Sequence, residues 1–541
     1  MTTVDAVVIG AGHQGLSAAL YLARAGWEVT VLEQSDCVGG ATRSGEITEP
    51  GLSHDLYATN LNLFCNSPVF AEFEVDLARH GFTLARTDKP YANVFSNARS
   101  LRIYSDAELT STMLGQHNAD DLDGWRQLRG LYDEFMENLM PVYGQPMPSL
   151  ASARTALRAL RRLGPRRFQT LAQLLASSTR ELGNRWFESD EVKTLLACWG
   201  MHLDLAPDVS FGAMFPFIET FADMDAGISI ARGGMSALPT ALAGLVEENG
   251  GQVRTASRVA GVSSNGDRAT GVVLADGTVI RARRAVIANT TPTQLFQEML
   301  PSEDARIESD RRRAQQFQYG PGSMMIHLSL DGPVTWAAHE DLRDFAYVHV
   351  AQSVDDLART YQQSRAGLLP DRPLLVVGQT SRVDPSRTPD QREILWIQVR
   401  TVPSRITADS VSQIPGNSWA VAKEPMADRV LDQLESYAPG LHSLVRARSV
   451  LSPDDLAAHN PNLVGGDALA GSHHVSQNFM FRPWVGASRY QTSLAGLHMV
   501  GASTWPGAGV NAMSGYLLAH QLLRKRRRLS HRPRRAGSRT D

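Results

Sequence analysis

The chain has 541 residues, of which 43% are hydrophobic and 20% charged, and its formal net charge is −3. This length predicts more than one domain, and the charge argues against nucleic acid as a partner, because no cationic excess exists to displace counterions. Cys37, Cys65 and Cys198 show no C-x-x-C spacing, which excludes a dithiol site and indicates a reducing, cytoplasmic compartment. No uninterrupted apolar run is long enough to span a bilayer.

The first 33 residues predict a strand, a helix and a second strand. Val4–Ile9 is short, apolar and bounded by glycine, which is typical of a buried parallel strand. Leu16–Ala25 has helical periodicity and ends before Gly26, and Glu28–Leu32 has the composition of a second strand. This order is that of a βαβ dinucleotide-binding unit.

The spacing G-x-G-x-x-G between the first strand and the helix predicts a phosphate-binding turn. The first glycine allows a tight turn, the second lets the backbone approach a pyrophosphate, and the third lets helix and sheet pack closely. A carboxylate at the end of the second strand suits the ribose hydroxyls and disfavours the 2′-phosphate of NADP. The predicted contacts are Gly10, Gly12, His13, Gln14, Gly15 and Glu33.

A second glycine motif follows Glu33. Gly39, Gly40 and Arg43 give the pattern E-x5-G-G-x2-R, in which the glycines permit a loop close to the cofactor and the arginine supplies charge to its pyrophosphate. The pattern resembles the second motif of the flavin amine oxidase and phytoene desaturase superfamily, as does the segment 50–55 after it. The resemblance implies FAD rather than NAD.

The middle of the chain is similar to the block that returns the superfamily's chain to its FAD domain. It comprises a segment 232–238 that opens a helix, the continuation of that helix over 241–250, a strand over 253–259, a hairpin of 271–274 with 279–281 and a strand over 285–289. The resemblance implies that Val259 contacts the adenine through its backbone.

The C-terminal segment closely resembles the last flavin motif of phytoene desaturases. A strand is predicted over 496–501 and a helix over 511–524, with small residues between them that leave backbone N–H groups free to face a ligand. The implied cofactor contacts are Gly501, Ala502, Pro506, Gly507 and Val510. Motifs at both ends and in the middle of the chain together indicate FAD.

Further segments are similar to one subgroup of phytoene-dehydrogenase-like oxidoreductases. The subgroup signature is 462–467, together with Gln477 and Arg482-Pro483, while 385–389, 437–441 and 452–456 resemble phytoene-dehydrogenase-like oxidoreductases in general. The subgroup contains the animal proteins named pyridine nucleotide-disulfide oxidoreductase domain-containing protein 2 and related bacterial enzymes. The "disulfide" part of that label does not fit this chain, which lacks a C-x-x-C.

The predicted fold is α/β, with a discontinuous Rossmann-like FAD domain formed by 1–75, 225–300 and 485–525. An inserted α+β substrate domain is predicted from 76–224 and 301–484, helical over 106–200 and with strands at 324–330, 374–377 and 394–399. The resemblance implies a substrate tunnel between the two domains that ends at the flavin. The basic segment 526–541 is predicted to be a disordered tail.

Catalytic residues are less evident, because a flavin carries the redox chemistry and the protein has only to position the substrate and manage a proton. The candidates are His473, His474, Gln477 and Arg482, which precede the last flavin motif, and Trp505 within it. Each also suits a structural role at a domain interface. No metal site is predicted, because adjacent histidines on an extended segment point apart.

Three functions remain open from the sequence. The leading hypothesis is dehydrogenation, saturation or isomerisation of a carbon–carbon bond in an apolar, polyene- or lipid-like substrate. The alternatives are an amine oxidase and an FAD-stabilised interaction protein. The segment Arg154–Arg167 interleaves arginines with leucines, which predicts either a helix that contacts an anionic membrane or an ordinary solvated helix.

Overall fold

The computed structural model describes residues 2–300, 307–389 and 392–530, with side chains to residue 524. Its first sheet has seven strands, mostly parallel, with an antiparallel hairpin at one edge. The strands are Thr2–Ile9, Val29–Leu32, Gln252–Arg254, Val259–Asn265, Arg268–Leu274, Val279–Ala288 and Leu497–Met499.

The register of this sheet brings the ends of its central strands to one edge. Ile9 pairs with Leu32 on one side and with Ala288 on the other, and Ala288 in turn pairs with Met499. Ligands of open α/β sheets bind at the carboxyl ends of parallel strands. The residues at or just beyond the ends of these strands, Gly10, Glu33, Asn289 and Gly501, therefore meet at the edge where a ligand is expected.

Helices His13–Arg24, Ala237–Glu248 and Met513–Ser530 pack together over this sheet. Small side chains let them approach closely: a Cβ on Gly515 would lie 2.0 Å from the Gln14 carbonyl oxygen. The N-terminal and C-terminal segments thus form one packed unit.

The second sheet has seven strands, largely antiparallel. One of its faces packs on the helix Trp419–Glu435 through an aliphatic core that includes Ile397 and Val399. The strands are Tyr91–Val94, Ser100–Ile103, Gly322–Leu330, Tyr347–Val350, Leu374–Gly378, Glu393–Val402 and Val445–Leu451.

The remaining longer helices lie mostly in the segment predicted to be helical. None of the helices within the described ranges is both long and apolar enough to cross a membrane. Their bounds are Pro68–Arg79, Ala107–His117, Asp121–Asn138, Leu150–Ala176, Thr179–Trp186, Asp190–Gly200, Met214–Ala226, Glu308–Gln316 and Val354–Arg365.

Several predicted elements have different bounds in the structure. The predicted strand 253–259 is two strands, because Ala256 takes a left-handed conformation with φ of 47° and interrupts it. The predicted separate strand 285–289 is the end of the single strand Val279–Ala288. The last helix runs to Ser530 rather than 524, so it covers the first residues of the predicted tail, and residues 531–541 lie outside the described residues. The strands of the first sheet all fall within the three predicted FAD-domain segments, while the domain limits stay a prediction.

Candidate active site

Three connected cavities run through the molecule. The cofactor groove, of about 150 Å³, follows the edge of the first sheet. It shares His13, Ala41 and Ala502 with the inner chamber, a cavity of about 240 Å³. The chamber in turn shares Phe215 and Glu219 with the outer channel, of about 400 Å³. The three cavities therefore adjoin one another in the order groove, chamber and channel.

The two N-terminal glycine motifs form one wall of the cofactor groove. Gly10 turns the chain with φ of 92° as its amide donates to the Leu32 carbonyl at 2.7 Å. The Gly39 amide donates to the Ala11 carbonyl at 3.0 Å, and Gly12 and Gly39 form a parallel bridge. The predicted phosphate loop and the second glycine motif therefore lie side by side.

Gly15 lies behind the groove rather than on its surface. A Cβ at Gly15 would lie 2.5 Å from the Gly10 carbonyl oxygen. The close packing of helix and sheet that was predicted for this position therefore requires glycine. Gln14 contributes to the groove only in part, because its side-chain oxygen already accepts from the Ser514 amide, 3.0 Å away at the start of the last helix.

Glu33 lies at the far end of the groove. Its carboxylate accepts from the Ala11 amide at 2.8 Å and from the Ser35 amide at 2.9 Å, which fixes its orientation and leaves lone pairs for a ligand hydroxyl. Arg43 also lines the groove, and its contact with the exposed Asp36, at 3.9 Å, is long. The predicted Val259 lies on the same wall.

The groove has the polar features of a dinucleotide site. The helix His13–Arg24 begins at Gly12 with no side-chain cap, so its first N–H groups and its positive dipole end face the groove. His13 Nε2 and Thr290 Oγ1 are buried without a hydrogen-bond partner among the described residues, and both side chains belong to residues that line the groove. Unsatisfied buried groups of this kind are unfavourable unless a ligand completes them. The residues present therefore fit a dinucleotide with its pyrophosphate at the helix.

The C-terminal motif is distributed over all three cavities. Gly501 and Ala502 line the groove, Val510 lines the inner chamber, and Pro506 lines the outer channel. Gly507 packs on His473, since a Cβ there would lie 2.5 Å from His473 Nε2. The loop thus connects the cofactor groove with the substrate side.

The four candidates that precede this loop are engaged in holding backbone segments. His473 Nε2 accepts from the Ala508 amide at 3.0 Å, and burial holds the pKa of this imidazole well below its ordinary value. The Gln477 side chain accepts from the N–H of Gln318 and donates to its carbonyl, both at 2.8 Å. His474 Nε2 lies 2.9 Å from the Asp204 carbonyl oxygen. Arg482 is wholly buried among backbone carbonyls. Their catalytic roles stay a prediction, and their contacts are those of loop supports.

Trp505 is fully buried and its ring does not line any of the three cavities. Its Nε1 donates to the Gln145 carbonyl at 2.9 Å, and its ring packs on Tyr143 and Phe479, with centroids 5.1 and 5.7 Å away. Those two side chains do line the outer channel. Trp505 therefore supports the channel wall.

Among the ionisable residues that line the inner chamber are an acid and a base that were not candidates from the sequence. Glu219, on the helix Met214–Ala226, lines both chamber and channel, and burial followed by the charge of Asp223 raises its pKa well above the ordinary value. Asp223 accepts from Asn62 Nδ2 at 2.7 Å, and burial raises its pKa to about 7. The protonated form of the Glu219 carboxyl is therefore favoured relative to that of an exposed glutamate. The second residue, Arg400, projects from the second sheet.

Comparison with known proteins gives a family match and full-length relatives. The family model "Flavin containing amine oxidoreductase" matches residues 15–402. The chain is 28% identical to pyridine nucleotide-disulfide oxidoreductase domain-containing protein 2 of Rattus norvegicus, over 96% of this chain and 93% of that protein. It is 26% identical to a zeta-carotene-forming phytoene desaturase of Myxococcus xanthus, over 93% and 90%. It is 24% identical to a lycopene-forming phytoene desaturase of a Paracoccus species, over 94% and 95%.

Solved structures with the same fold include oxidases of amines. An oxidoreductase from Methanosarcina mazei superposes with a TM-score of 0.63 at 15% identity, covering 96% of this chain and all of that chain. Cyclohexylamine oxidase from Brevibacterium oxydans superposes with a TM-score of 0.57 at 16% identity, covering 97% and 99%. These identities are low, so the similarity establishes the α/β fold alone.

Proposed function

The chain belongs to the flavin containing amine oxidoreductase family and is an FAD-dependent oxidoreductase, and we propose that it acts on a carbon–carbon bond of an apolar, polyene- or lipid-like substrate. The observation that carries this proposal is the series of adjoining cavities, in which the cofactor groove shares wall residues with the chamber and the chamber with the outer channel. The channel is lined mainly by apolar side chains, among them Met136, Met140, Phe211, Met214, Ile218 and Phe479. Relatives named as desaturases of carotenoids are consistent with such a substrate.

The bound flavin accepts a hydride in this chemistry. The protein's own part is to align the substrate and exclude water, which the apolar channel does, and to handle one proton. We assign the transfer of that proton to Glu219, because this residue lines both the chamber and the channel and its burial raises the pKa of the carboxyl above the ordinary value. The protonated form donates to carbon in the saturating direction, and the ionised form accepts in the dehydrogenating direction.

Filling the outer channel tests the substrate path. We expect Ile218→Trp to slow anaerobic flavin reduction by a long apolar substrate about 10-fold or more, because the larger ring occupies the path on which orientation of the substrate depends. Reduction by dithionite should keep the wild-type rate. Ala243→Ser, on a helix distant from the channel, is the control. Equal substrate rates in Ile218→Trp and wild type would contradict the channel as the route.

Replacing the chamber carboxyl tests the role of Glu219. We expect Glu219→Gln to lower turnover of the apolar substrate by about 10²- to 10⁴-fold, because positioned acid–base groups contribute that much, while FAD content stays unchanged. The pH–rate profile of the variant should also lack the limb that ionisation of the Glu219 carboxyl produces in wild type. Glu247→Gln, an exposed glutamate on another helix, should turn over normally. Turnover of Glu219→Gln within threefold of wild type would refute the assignment.

A membrane contact is proposed for the helix Leu150–Ala176. This helix, kinked at Gly164, leaves Leu157 and Leu160 exposed by 45% and 37%. Its last carbonyl, that of Ala176, accepts from the amide of Phe211, an exposed residue that lines the outer channel. The helix therefore lies beside the end of the channel. Its exposed arginines are Arg154, Arg158, Arg161, Arg162, Arg166 and Arg167, of which Arg162 pairs with Glu137 and Arg167 with Glu134.

Vesicle binding tests this contact. Replacing Arg154, Arg158 and Arg161 together by glutamine is expected to lower the partition coefficient onto vesicles containing phosphatidylserine by about 100-fold, since each cation contributes about 1 kcal/mol near an anionic surface. Neutral phosphatidylcholine vesicles should bind weakly in all variants. The matched control replaces three other exposed arginines, Arg185, Arg281 and Arg312, by glutamine. Equal losses in both triple variants would exclude a specific membrane face.

The amine oxidase alternative predicts a chamber that accepts a cation and holds a pair of facing aromatic rings. A substrate amine is usually a cation, and the chamber already holds the cationic Arg400. The aromatic pair in the chamber, Tyr347 and Trp396, is tilted by 52° with centroids 6.1 Å apart, so its rings do not face each other as a parallel cage. Anaerobic reduction of the flavin by amines, but not by polyenes or unsaturated lipids, would establish this alternative instead.

A further inference from the structure

A polar strip crosses the otherwise apolar inner chamber. Side chains alternate along the strand Glu393–Val402, so Ile397 and Val399 enter the aliphatic core while Gln398 and Arg400 line the chamber on the other face. On the neighbouring strand Ser323 also lines the chamber. Because Met325 pairs with Gln398, the register brings Ser323 close to Arg400.

These three side chains have unused hydrogen-bonding capacity. Arg400 Nη1 donates to the His202 carbonyl at 3.2 Å, and Nε is buried without a partner. No carboxylate in the described ranges forms an ion pair with this guanidinium. Gln398 and Ser323 are only 5% and 3% exposed, and neither side chain makes a hydrogen bond within the part of the chain that the structure describes.

Two other arginines in the protein interior form ion pairs with carboxylates, and Arg482 donates to backbone carbonyls. Arg387 pairs with Asp55 at 2.8 Å, and Arg429 pairs with Asp409 at 2.7 Å. Asp467, whose charge acts on Arg400, already accepts backbone amides on both oxygens, among them those of Leu469 and Gly471 at 2.8 Å. Arg400 is half-buried on the wall of a cavity and has neither a carboxylate partner nor such a set of carbonyls within the described residues, which indicates that a ligand provides its partner.

The guanidinium keeps its charge in this environment. Burial lowers the pKa of Arg400 to about 10, which leaves it protonated at neutral pH. The nearby imidazole of His202 is neutral, because burial and then the charge of Arg400 hold its pKa well below the ordinary value. The chamber thus presents a cation, an amide and a hydroxyl on one wall, and the carboxyl of Glu219 on a helix that lines both the chamber and the channel.

We propose that Arg400, with Gln398 and Ser323, binds a carboxylate carried by the substrate, so that the substrate is an apolar chain with an acidic end. A guanidinium fork matches the two oxygens of a carboxylate, and an amide and a hydroxyl complete its hydrogen bonds. The chain of the substrate then extends along the outer channel, and the carboxylate fixes which of its bonds lies beside the cofactor groove. This inference rests on the proposed function and adds the substrate's polar group.

The test is calorimetric titration of the purified FAD-loaded protein with dodecanoate, its methyl ester and dodecyl phosphate. Wild-type protein is expected to bind dodecanoate about 10- to 100-fold more tightly than the ester, and Arg400→Met to lose this preference, as expected for a hydrogen-bonded charge pair. Arg400→Lys should retain part of it. Arg405→Met, an exposed arginine on the same segment, should bind like wild type. FAD content by absorbance and the thermal midpoint of each variant are recorded in parallel.

The outcomes separate this inference from the proposed function. Equal affinity of wild type for dodecanoate and its ester, or undiminished binding by Arg400→Met, would overturn the carboxylate site while leaving an apolar substrate in place. Tighter binding of dodecyl phosphate than dodecanoate, lost in Arg400→Met, would replace the carboxylate by a phosphate. Binding of none of the three probes would contradict the proposed function itself. If Arg400→Met does not fold, Gln398→Leu provides the same comparison, with a smaller expected loss of about 3- to 10-fold.

Discussion

Replacement of Gly15 by alanine is expected to yield a protein that no longer retains FAD. The added Cβ would lie 2.5 Å from the Gly10 carbonyl oxygen and 2.9 Å from Asn289 Nδ2, so the phosphate turn or the helix after it has to move. The first N–H groups of that helix would then no longer face a pyrophosphate. The measurement is the ratio of 450 nm to 280 nm absorbance after gel filtration, with circular dichroism to show that the chain is folded.

Two companion variants make this result interpretable. Gly130→Ala, also in a helix but with only the end of Arg167 within reach of the new Cβ, should retain FAD like wild type. Glu33→Gln keeps the shape of the groove and should weaken FAD binding about 10- to 100-fold, as loss of a charged hydrogen-bond acceptor does. Its control is Glu28→Gln, an exposed glutamate paired with Arg283. Full FAD retention by Gly15→Ala would show that the cofactor lies elsewhere.

Arg482→Met is expected to cause the largest loss of stability of any variant considered. Its guanidinium is wholly buried and donates to the carbonyls of Ala502 at 2.9 Å, Ser472 at 2.8 Å and Gly471 at 3.1 Å. Methionine leaves these carbonyls without donors, which costs about 3–5 kcal/mol in comparable buried networks. Because the carbonyl of Ala502 belongs to the wall of the cofactor groove, FAD affinity should fall as well.

Thermal unfolding monitored by flavin fluorescence measures this loss. The apparent midpoint is expected to fall by about 5–10 °C. Arg446→Met removes only exposed ion pairs with Glu49 and Asp331 and should shift the midpoint by about 1–2 °C. Unchanged stability combined with a large loss of turnover would instead give Arg482 the catalytic role considered from the sequence.

The cofactor side of the molecule could be predicted from the sequence because each motif is local. A strand, a glycine turn and a helix determine one another within about 30 residues, and the residues that follow parallel strands necessarily meet at one edge. The register of Ile9 with Leu32 and Ala288 shows this relation in the fold. The family, the α/β class and FAD therefore followed from contiguous segments.

The substrate side could not be predicted in the same way because its residues come together only in the tertiary structure. Glu219 lies in the helical segment MFPFIETFADMDA, where nothing local distinguishes a buried carboxyl from an exposed one. Arg400 had a weak signal, since Gln398 and Arg400 interrupt the apolar pattern at alternate positions of an otherwise buried strand. Conversely, Arg482 was a catalytic candidate because it precedes the last flavin motif, whereas its contacts in the structure are with backbone carbonyls.

Anaerobic titration of the FAD-loaded protein with a long-chain polyene or unsaturated lipid tests the central claim most directly. Flavin absorbance at 450 nm should bleach in wild type on addition of such a substrate, or the reduced flavin should reoxidise when the substrate is one that becomes saturated. The same titration with amines should leave the spectrum unchanged. An oxidised flavin that responds to amines alone, or a purified protein that binds no FAD, would contradict the account.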